Sequence, residues 1–279
     1  MNELLKRQED YLLKKLSHLF FEILEYPQKK EILYLGLCYC QLSRFYNLDE
    51  IPLREIKNCL RKYLIDFESY PWRDFLFELE LFYLREEEDK LIKGKSIFSY
   101  SPSEEATLSI DPKYGFLKQT FCQKIYKYWY TSRKFEERLH APDGYAVLKN
   151  GVELFNEGLY NETLQYLDDY LPLLKNSDEL LFYRLLRQLA FIGTLIERKL
   201  YKEAYTELER TLEFLKDFNK ELKKWPYDFK KLKKELKNTK RQLKRGKFLY
   251  IPPVRLAEKK KRWSFWKFLK SLIGKKALR

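Results

Sequence analysis

The chain has 279 residues, of which 55 are Lys or Arg and 41 are Asp or Glu, so its formal net charge is +14. Hydrophobic residues make up 45% of the chain and aromatic residues 17%, which is enough for a packed interior. Only 9 Gly and 10 Pro are present, too few turn signals for a many-stranded β fold. The composition therefore predicts an all-α protein built from antiparallel helical hairpins.

The first predicted domain, residues 1–92, consists of consecutive helices. Apolar residues recur every three to four positions over Leu4–Phe20, which is typical of an amphipathic helix. The segment Ile32–Phe45 is apolar nearly all round and is predicted to be a central helix. Two further helices are expected to begin at Pro52 and Pro71, because proline is favoured in the first turn of a helix.

The four cysteines are Cys38, Cys40, Cys59 and Cys122. The first 25 residues are charged and amphipathic, unlike a secretory leader, so we expect reduced, buried thiols in a cytoplasmic protein. The C-x-C pair lacks a second pair and a nearby His, and the sequence therefore predicts no metal site. The longest apolar run has nine residues, whereas a membrane-spanning helix needs about 20, so no spanning helix is expected.

Residues 93–115 contain several Ser and Pro that interrupt any helical period, and they are predicted to be a loop or linker. A second, helical-repeat-like domain is predicted over 116–218. Within it, Leu159–Thr163 and Leu200–Ala204 match at an offset of 41 residues, and an apolar helix precedes each of them. This pattern predicts two helix-turn-helix units of one design, although spaced leucines can also mimic a repeat by chance.

The Tyr-x-Glu-small pattern followed by spaced leucines resembles the second helix of a tetratricopeptide unit. Residues 143–218 are also similar to an uncharacterised bacterial family of small helical bundles that reads F-N-x-G-x-Y-x-E-A-H-E, where this chain has Phe155–Glu162 followed by other residues. The family's His-Glu pair is replaced by Leu164 and Gln165 here, and a later Glu by Asp168. The resemblance implies a helical fold, and the family's polar site is expected to be absent or altered.

The last 61 residues carry 23 Lys or Arg against 4 Asp or Glu, whereas the rest of the chain is slightly acidic. Such an asymmetry points to a polyanionic partner. Residues 219–250 are predicted to form a basic helix with a narrow apolar seam, which we define as Trp225, Phe229, Leu232, Leu236 and Leu243. The candidate anion-binding cations of this helix are Lys230, Lys231, Lys233, Lys234, Lys237, Lys240, Arg241, Lys244 and Arg245.

Residues 251–279 are predicted to form an extended Pro-Pro connector and a basic amphipathic terminal helix. One face of that helix is rich in aromatic residues and the opposite face in lysine. Three interpretations remain open: docking of the helix on the body, binding to an anionic membrane surface, which we prefer, and binding to nucleic acid. The candidate contact residues are Lys259, Lys260, Lys261, Arg262, Trp263, Phe265, Trp266, Lys267, Phe268, Lys270, Lys275 and Lys276.

No catalytic residue, cofactor site or small-molecule substrate is predicted. The two histidines, His18 and His140, lie in separate halves, and no glycine-rich phosphate loop is present. The sequence therefore favours a non-enzymatic scaffold or adaptor that binds a protein partner, in the cytoplasm or at the inner membrane face. The alternatives are a nucleic-acid-binding protein and an enzyme without a recognisable motif. A Lys- and Glu-rich chain with one Met is also compatible with a thermophilic source.

Overall fold

The computed structural model describes residues 3–86, 90–134, 143–246 and 251–255. Helices predominate in these ranges, so the predicted helical fold class is confirmed. The described residues belong to two compact units, unit 1 (Met1–Leu174) and unit 2 (Lys175–Arg279). None of the helices in the described ranges combines the length and the apolar character that crossing a bilayer requires.

Unit 1 combines seven described helices with a small sheet. Short 3-10 helices occupy Pro27–Ile32, Gly94–Ile97, Pro112–Leu117 and Leu171–Leu173. The strands are β1 (Glu50–Pro52), β2 (Phe82–Arg85), β3 (Leu91–Ile92) and β4 (Thr107–Ile110). The helices are α1 (Glu3–Glu25), α2 (Leu33–Tyr46), α3 (Leu53–Lys62), α4 (Trp72–Leu79), α5 (Lys118–Ser132), α6 (Gly144–Asn156) and α7 (Tyr160–Asp169).

Helix α2 lies in the core of unit 1, as its apolar sequence predicted. Residues 37–39 are at most 1% exposed. A Cβ atom at Gly36 would lie 3.1 Å from Cζ of Phe121 and 3.2 Å from Cζ of Phe75, so glycine permits the close packing of α4 and α5 on α2. The predicted helix starts are confirmed, since α3 and α4 begin directly after Pro52 and Pro71.

The four-stranded antiparallel sheet, with strand order β1-β4-β2-β3, was not predicted. Its central strand β4 places Leu108 opposite Ile51 on one side and Leu84 on the other. Residues 93–115, expected to be a loop or linker between domains, therefore contain strand β4, which pairs with both β1 and β2. Glu86 follows β2, and the edge strand β3 pairs with β2.

Two disulfides cross-link the core, and the expectation of reduced thiols was wrong. Cys38 bonds to Cys59 of α3, and Cys40 bonds to Cys122 of α5. The Cα atoms are 5.7 and 5.6 Å apart, within the usual range for a disulfide. The two cysteines of α2 are two positions apart, so the helix directs them to different neighbours. No free cysteine remains among the residues described.

Unit 2 consists of α8 (Ser177–Glu197), α9 (Tyr201–Asp217), α10 (Asn219–Leu222) and α11 (Phe229–Lys244) in the range that the structure describes. A capping box closes the start of α8, because Asn176 accepts a hydrogen bond from the Glu179 N–H and Glu179 accepts one from the Asn176 N–H. The basic stretch expected as one helix is divided, since Pro226 lies between α10 and α11.

The hairpins α6–α7 and α8–α9 turn in the same way at the predicted offset of 41 residues. The residue before the Leu-Tyr pair is left-handed in both, with φ of 71° at Gly158 and 60° at Lys199. The next N–H donates to a carbonyl five residues earlier in each case, Leu159 to Leu154 at 3.1 Å and Leu200 to Leu195 at 2.8 Å. The tetratricopeptide-like relation itself stays a prediction.

Candidate functional site: a basic groove between α9 and α11

The apolar seam of α11 is used inside unit 2. Phe229, Leu232, Leu236 and Leu243 are at most 9% exposed, and α11 packs along α9. Trp225 precedes α11 and contacts the ring of Phe182, at 4.7 Å between centroids. Because the seam is buried, the remaining faces of α11 present their lysines to solvent.

The segment 251–255, predicted to be an extended connector, is also packed within unit 2. Ile251 and Val254 are 3% and 2% exposed. The Asp228 N–H donates to the carbonyl of Arg255 at 2.9 Å, and the Arg255 guanidinium pairs with Glu235 at 3.3 Å. The described part of the chain is therefore anchored to α11 as far as Arg255.

A solvent-open groove of about 620 Å³ runs between α9 and α11. Tyr205 and Leu212 contribute its less polar surface, and Glu209 and Glu213 of α9 lie along one side. Six cationic side chains line the same groove, so cations outnumber carboxylates by three to one. These cations are Lys216, Lys233, Lys237, Lys240, Arg241 and Lys244.

One ion pair crosses the groove. Lys240 Nζ lies 2.5 Å from Oε1 of Glu209 and 5.2 Å from the centre of the Tyr205 ring. The hydrogen bond from Lys240 lowers the pKa of the Glu209 carboxyl, and the same bond raises the pKa of Lys240. Within the described ranges, the other five groove cations form no salt bridge. The groove consequently has excess positive charge with which to attract an anion.

The structure brings together five of the nine predicted helix cations. Lys233, Lys237, Lys240, Arg241 and Lys244 line the groove. The other four lie on exposed parts of α11 or at its end, outside the groove lining, namely Lys230, Lys231, Lys234 and Arg245. The sequence interpretation missed Lys216, which α9 supplies. The only indication of Lys216 in the sequence was its position near the end of a predicted helix that precedes the basic stretch.

The predicted contact residues of the terminal helix lie outside the described residues. They are Lys259, Lys260, Lys261, Arg262, Trp263, Phe265, Trp266, Lys267, Phe268, Lys270, Lys275 and Lys276. Their chemistry is therefore known from the sequence alone. The groove is the part of the predicted anionic-surface site that the structure describes.

A buried polar cluster in unit 1 was also missed. Glu162 of α7 is 0% exposed and accepts hydrogen bonds from Ser17 of α1 at 3.0 Å, Tyr128 of α5 at 2.5 Å and Lys124 of α5 at 2.9 and 3.0 Å. Burial alone would raise the pKa of Glu162, but the charge of Lys124 and the hydrogen bonds from Tyr128 and Lys124 outweigh it and lower the pKa. The cluster cross-links three helices.

The described ranges contain no candidate metal site and no candidate catalytic histidine. No group of three or more His, Cys, Asp or Glu side chains in those ranges could hold a metal ion. His18 is exposed on α1, and His140 lies outside the described residues. The buried Glu162 is enclosed by its partners and by protein, so a solute has no path to its carboxylate.

The comparisons with known proteins identify a relative of this chain. No protein-family model matches the chain, and no solved structure shows a significant match. An uncharacterized protein of Aquifex aeolicus (strain VF5) is 32% identical over 282 aligned positions, covering 95% of this chain and 85% of the relative. Identity at this level over nearly the whole chain shows common descent. The chain belongs to the family of this Aquifex aeolicus protein.

Proposed function

We propose that this protein is a non-catalytic helical adaptor that attaches to an anionic membrane surface through unit 2 and holds a protein partner on its helical body. The observation that carries this proposal is the basic groove. Helix α11 buries its apolar seam against α9, and the two helices together place six cations around a solvent-open groove. Because the apolar seam of α11 is already buried inside unit 2, the helix is folded without a membrane, and its cations are available to contact an anionic surface.

The groove cations and the terminal cations would act together. Each Lys or Arg close to an anionic leaflet contributes about 1 kcal/mol of attraction. The chain continues past Arg255 into 259–276, where two Trp and two Phe within six residues accompany the lysines. Aromatic side chains partition into the headgroup region, which adds insertion to the electrostatic attraction. These aromatic residues are the reason for preferring lipid over nucleic acid.

Nucleic acid is the second candidate, and the groove itself supports it. A concave row of lysines fits a phosphate backbone as well as it fits lipid headgroups, and the resulting affinity is independent of sequence. Lysine heavily outnumbers arginine in 219–279, however, and arginine is the better reader of bases. A nucleic-acid function would therefore rest on the phosphates alone.

The compartment that we propose is the cytoplasmic face of the membrane, where anionic lipids are concentrated. Structural disulfides usually indicate an oxidising compartment, but they also occur inside hyperthermophilic cells. The Lys- and Glu-rich composition with a single Met agrees with that second setting.

Neutralising three groove cations is expected to weaken membrane binding about 100-fold. The variant Lys233→Gln/Lys237→Gln/Arg241→Gln removes about 3 kcal/mol of attraction at about 1 kcal/mol for each cation. The measurement is co-sedimentation of the full chain with vesicles of phosphatidylcholine containing phosphatidylserine, titrated in lipid concentration. Circular dichroism checks that each variant is folded.

The matched control is Lys14→Gln/Lys62→Gln/Lys95→Gln, which removes the same charge from exposed positions of unit 1. The control is expected to bind the vesicles within about threefold of the parent chain, because its three positions lie outside the groove and charge attraction is screened beyond about 8 Å in physiological salt. Equal losses in the two triple variants would show that net charge, and not the groove, determines binding. That result would overturn the proposed site.

A further inference from the structure

A second recess, in unit 1, has the opposite chemistry to the basic groove. It lies between the last turns of α1, the 3-10 helix Pro27–Ile32 and α4, with a volume of about 490 Å³. We call it the acidic cleft. Its volume is within the range of sites that bind small molecules or peptide side chains.

The floor of the acidic cleft is apolar. Leu19, Ile32 and Phe75 form it from α1, the 3-10 helix and α4, and each is less than 9% exposed. At the rim, the rings of Phe77 and Phe98 meet edge to face at 5.1 Å between centroids. Phe98 is 48% exposed although it belongs to this apolar wall. An apolar group of a partner placed on Phe98 would bury this ring.

The rim of the acidic cleft is negative, although the whole chain is strongly positive. Four carboxylates, from Glu22, Glu31, Asp74 and Glu78, face one ammonium group, that of Lys29. Glu22 is paired with Lys29, whose pKa that hydrogen bond raises. Among the described residues the other three carboxylates form no ion pair.

Two of these carboxylates concentrate like charge on one face of α4. Asp74 and Glu78 are exposed and four positions apart on α4, a spacing at which like charges destabilise a helix. A cationic partner would remove this repulsion, whereas an anionic lipid or a nucleic acid would be repelled. The ligand must therefore combine positive charge with an apolar group.

We propose that the acidic cleft binds a partner protein through a basic amphipathic helix, with an apolar side chain on Phe98 and lysine or arginine beside Asp74 and Glu78. Helix-in-groove recognition uses anchors spaced along one face, which suits a recess between α1 and α4. This proposal rests on the proposed function, because it gives the chemistry of the protein partner that the adaptor would hold.

The test is the fluorescence anisotropy of a fluorescein-labelled amphipathic helical peptide of lysine and leucine, titrated with the full chain. Asp74→Asn/Glu78→Gln is expected to weaken binding about tenfold, and Phe98→Ser by a similar factor. The matched control Glu105→Gln/Asp217→Asn changes the net charge equally at exposed positions outside the cleft and is expected to bind like the parent chain. A peptide with serine in place of leucine should bind at least tenfold more weakly.

The proposal is overturned if the cleft variants bind the peptide as tightly as the parent chain, or if the control loses as much affinity as they do. Equal affinity for the serine peptide would also overturn it, because the apolar floor would then have no part. Vesicle co-sedimentation of the same cleft variants separates the two proposals. If the cleft variants lose peptide binding but keep the lipid binding of the parent chain, the acidic cleft is supported. That conclusion holds whether or not the basic groove binds lipid.

Discussion

Replacing Glu162 by Gln is expected to lower the free energy of unfolding by about 3–5 kcal/mol, because removing one partner of a buried ion pair leaves the other charge uncompensated. Lys124 would lose both carboxylate contacts, at 2.9 and 3.0 Å, while remaining buried. Urea denaturation monitored by circular dichroism measures the change at neutral pH.

The apolar double variant Glu162→Leu/Lys124→Met separates charge from packing. Well-packed hydrophobic residues often replace a buried ion pair without loss, so this variant is expected to recover part of the stability that Glu162→Gln loses. Recovery stays incomplete because the buried Ser17 and Tyr128 hydroxyls lose Glu162 as their acceptor. Glu203→Gln is the matched control, since Glu203 holds the equivalent place in α9 but is exposed. Its effect should stay within about 0.5 kcal/mol. Equal effects of Glu162→Gln and Glu203→Gln would contradict the account of the cluster.

The same cluster gives a pH dependence with a definite sign. Burial alone would raise the pKa of Glu162, but Lys124 and the hydrogen bond from Tyr128 place it below the ordinary value of 4.5. The native state therefore binds the proton less readily than the unfolded chain does. The stabilisation is complete above pH 4.5 and is lost as the pH falls through the lower, native pKa. In the Glu162→Gln variant, this acid-dependent contribution to the free energy of unfolding should be absent.

Removing the disulfides is expected to have the second large effect. Cys40→Ala/Cys122→Ala opens a link that spans 82 residues, and Cys38→Ala/Cys59→Ala opens one that spans 21. Loop-closure entropy predicts losses of about 4.5 and about 3.3 kcal/mol, since the longer link restrains the unfolded chain more. Denaturant unfolding of both variants, without reductant, measures the two losses and their order.

Thiol titration of the denatured chain provides the direct control. The parent chain should show no free thiol before reduction and four afterwards, since it contains four cysteines and both pairs are bonded. Four thiols before reduction would mean that the sulfurs are unpaired in the purified protein. The stability difference between the two double variants would then need another explanation.

The helices of the core were predictable because local residues determine them. Pro52 and Pro71 fixed two helix starts, and the apolar run over Ile32–Phe45 identified the central helix α2. The apolar seam of α11 was equally predictable from the sequence, since residues spaced by three and four positions lie on one face of a helix. The structure adds that α9 covers this seam.

The sheet could not be predicted in the same way. Its strands have two to four residues, too few to establish an alternating pattern. The strands also pair with partners far away in sequence, such as Ile51 with Leu108. Because β4 lies in a segment rich in Ser and Pro, the local composition indicated a linker there instead.

The polar sites were likewise predictable only in part from the sequence. The cations of α11 were visible as a run, but the groove needs Lys216 and Glu209 of α9, which only packing brings alongside. Glu162 belonged to a recognised pattern, yet its partners Lys124 and Ser17 lie on other helices. The disulfides likewise join separate helices, and cysteine spacing along the chain does not specify pairing.

Membrane attachment through unit 2 is tested by the affinity of the full chain for phosphatidylserine vesicles, compared with the affinity of a chain ending at Arg255. That end point keeps the buried residues Ile251 and Val254 and removes the terminal cations and aromatic residues. We expect at least tenfold weaker binding for the shorter chain and no binding of either chain to neutral vesicles. Equal affinity of the two chains, or binding that ignores phosphatidylserine, would contradict this mode of attachment.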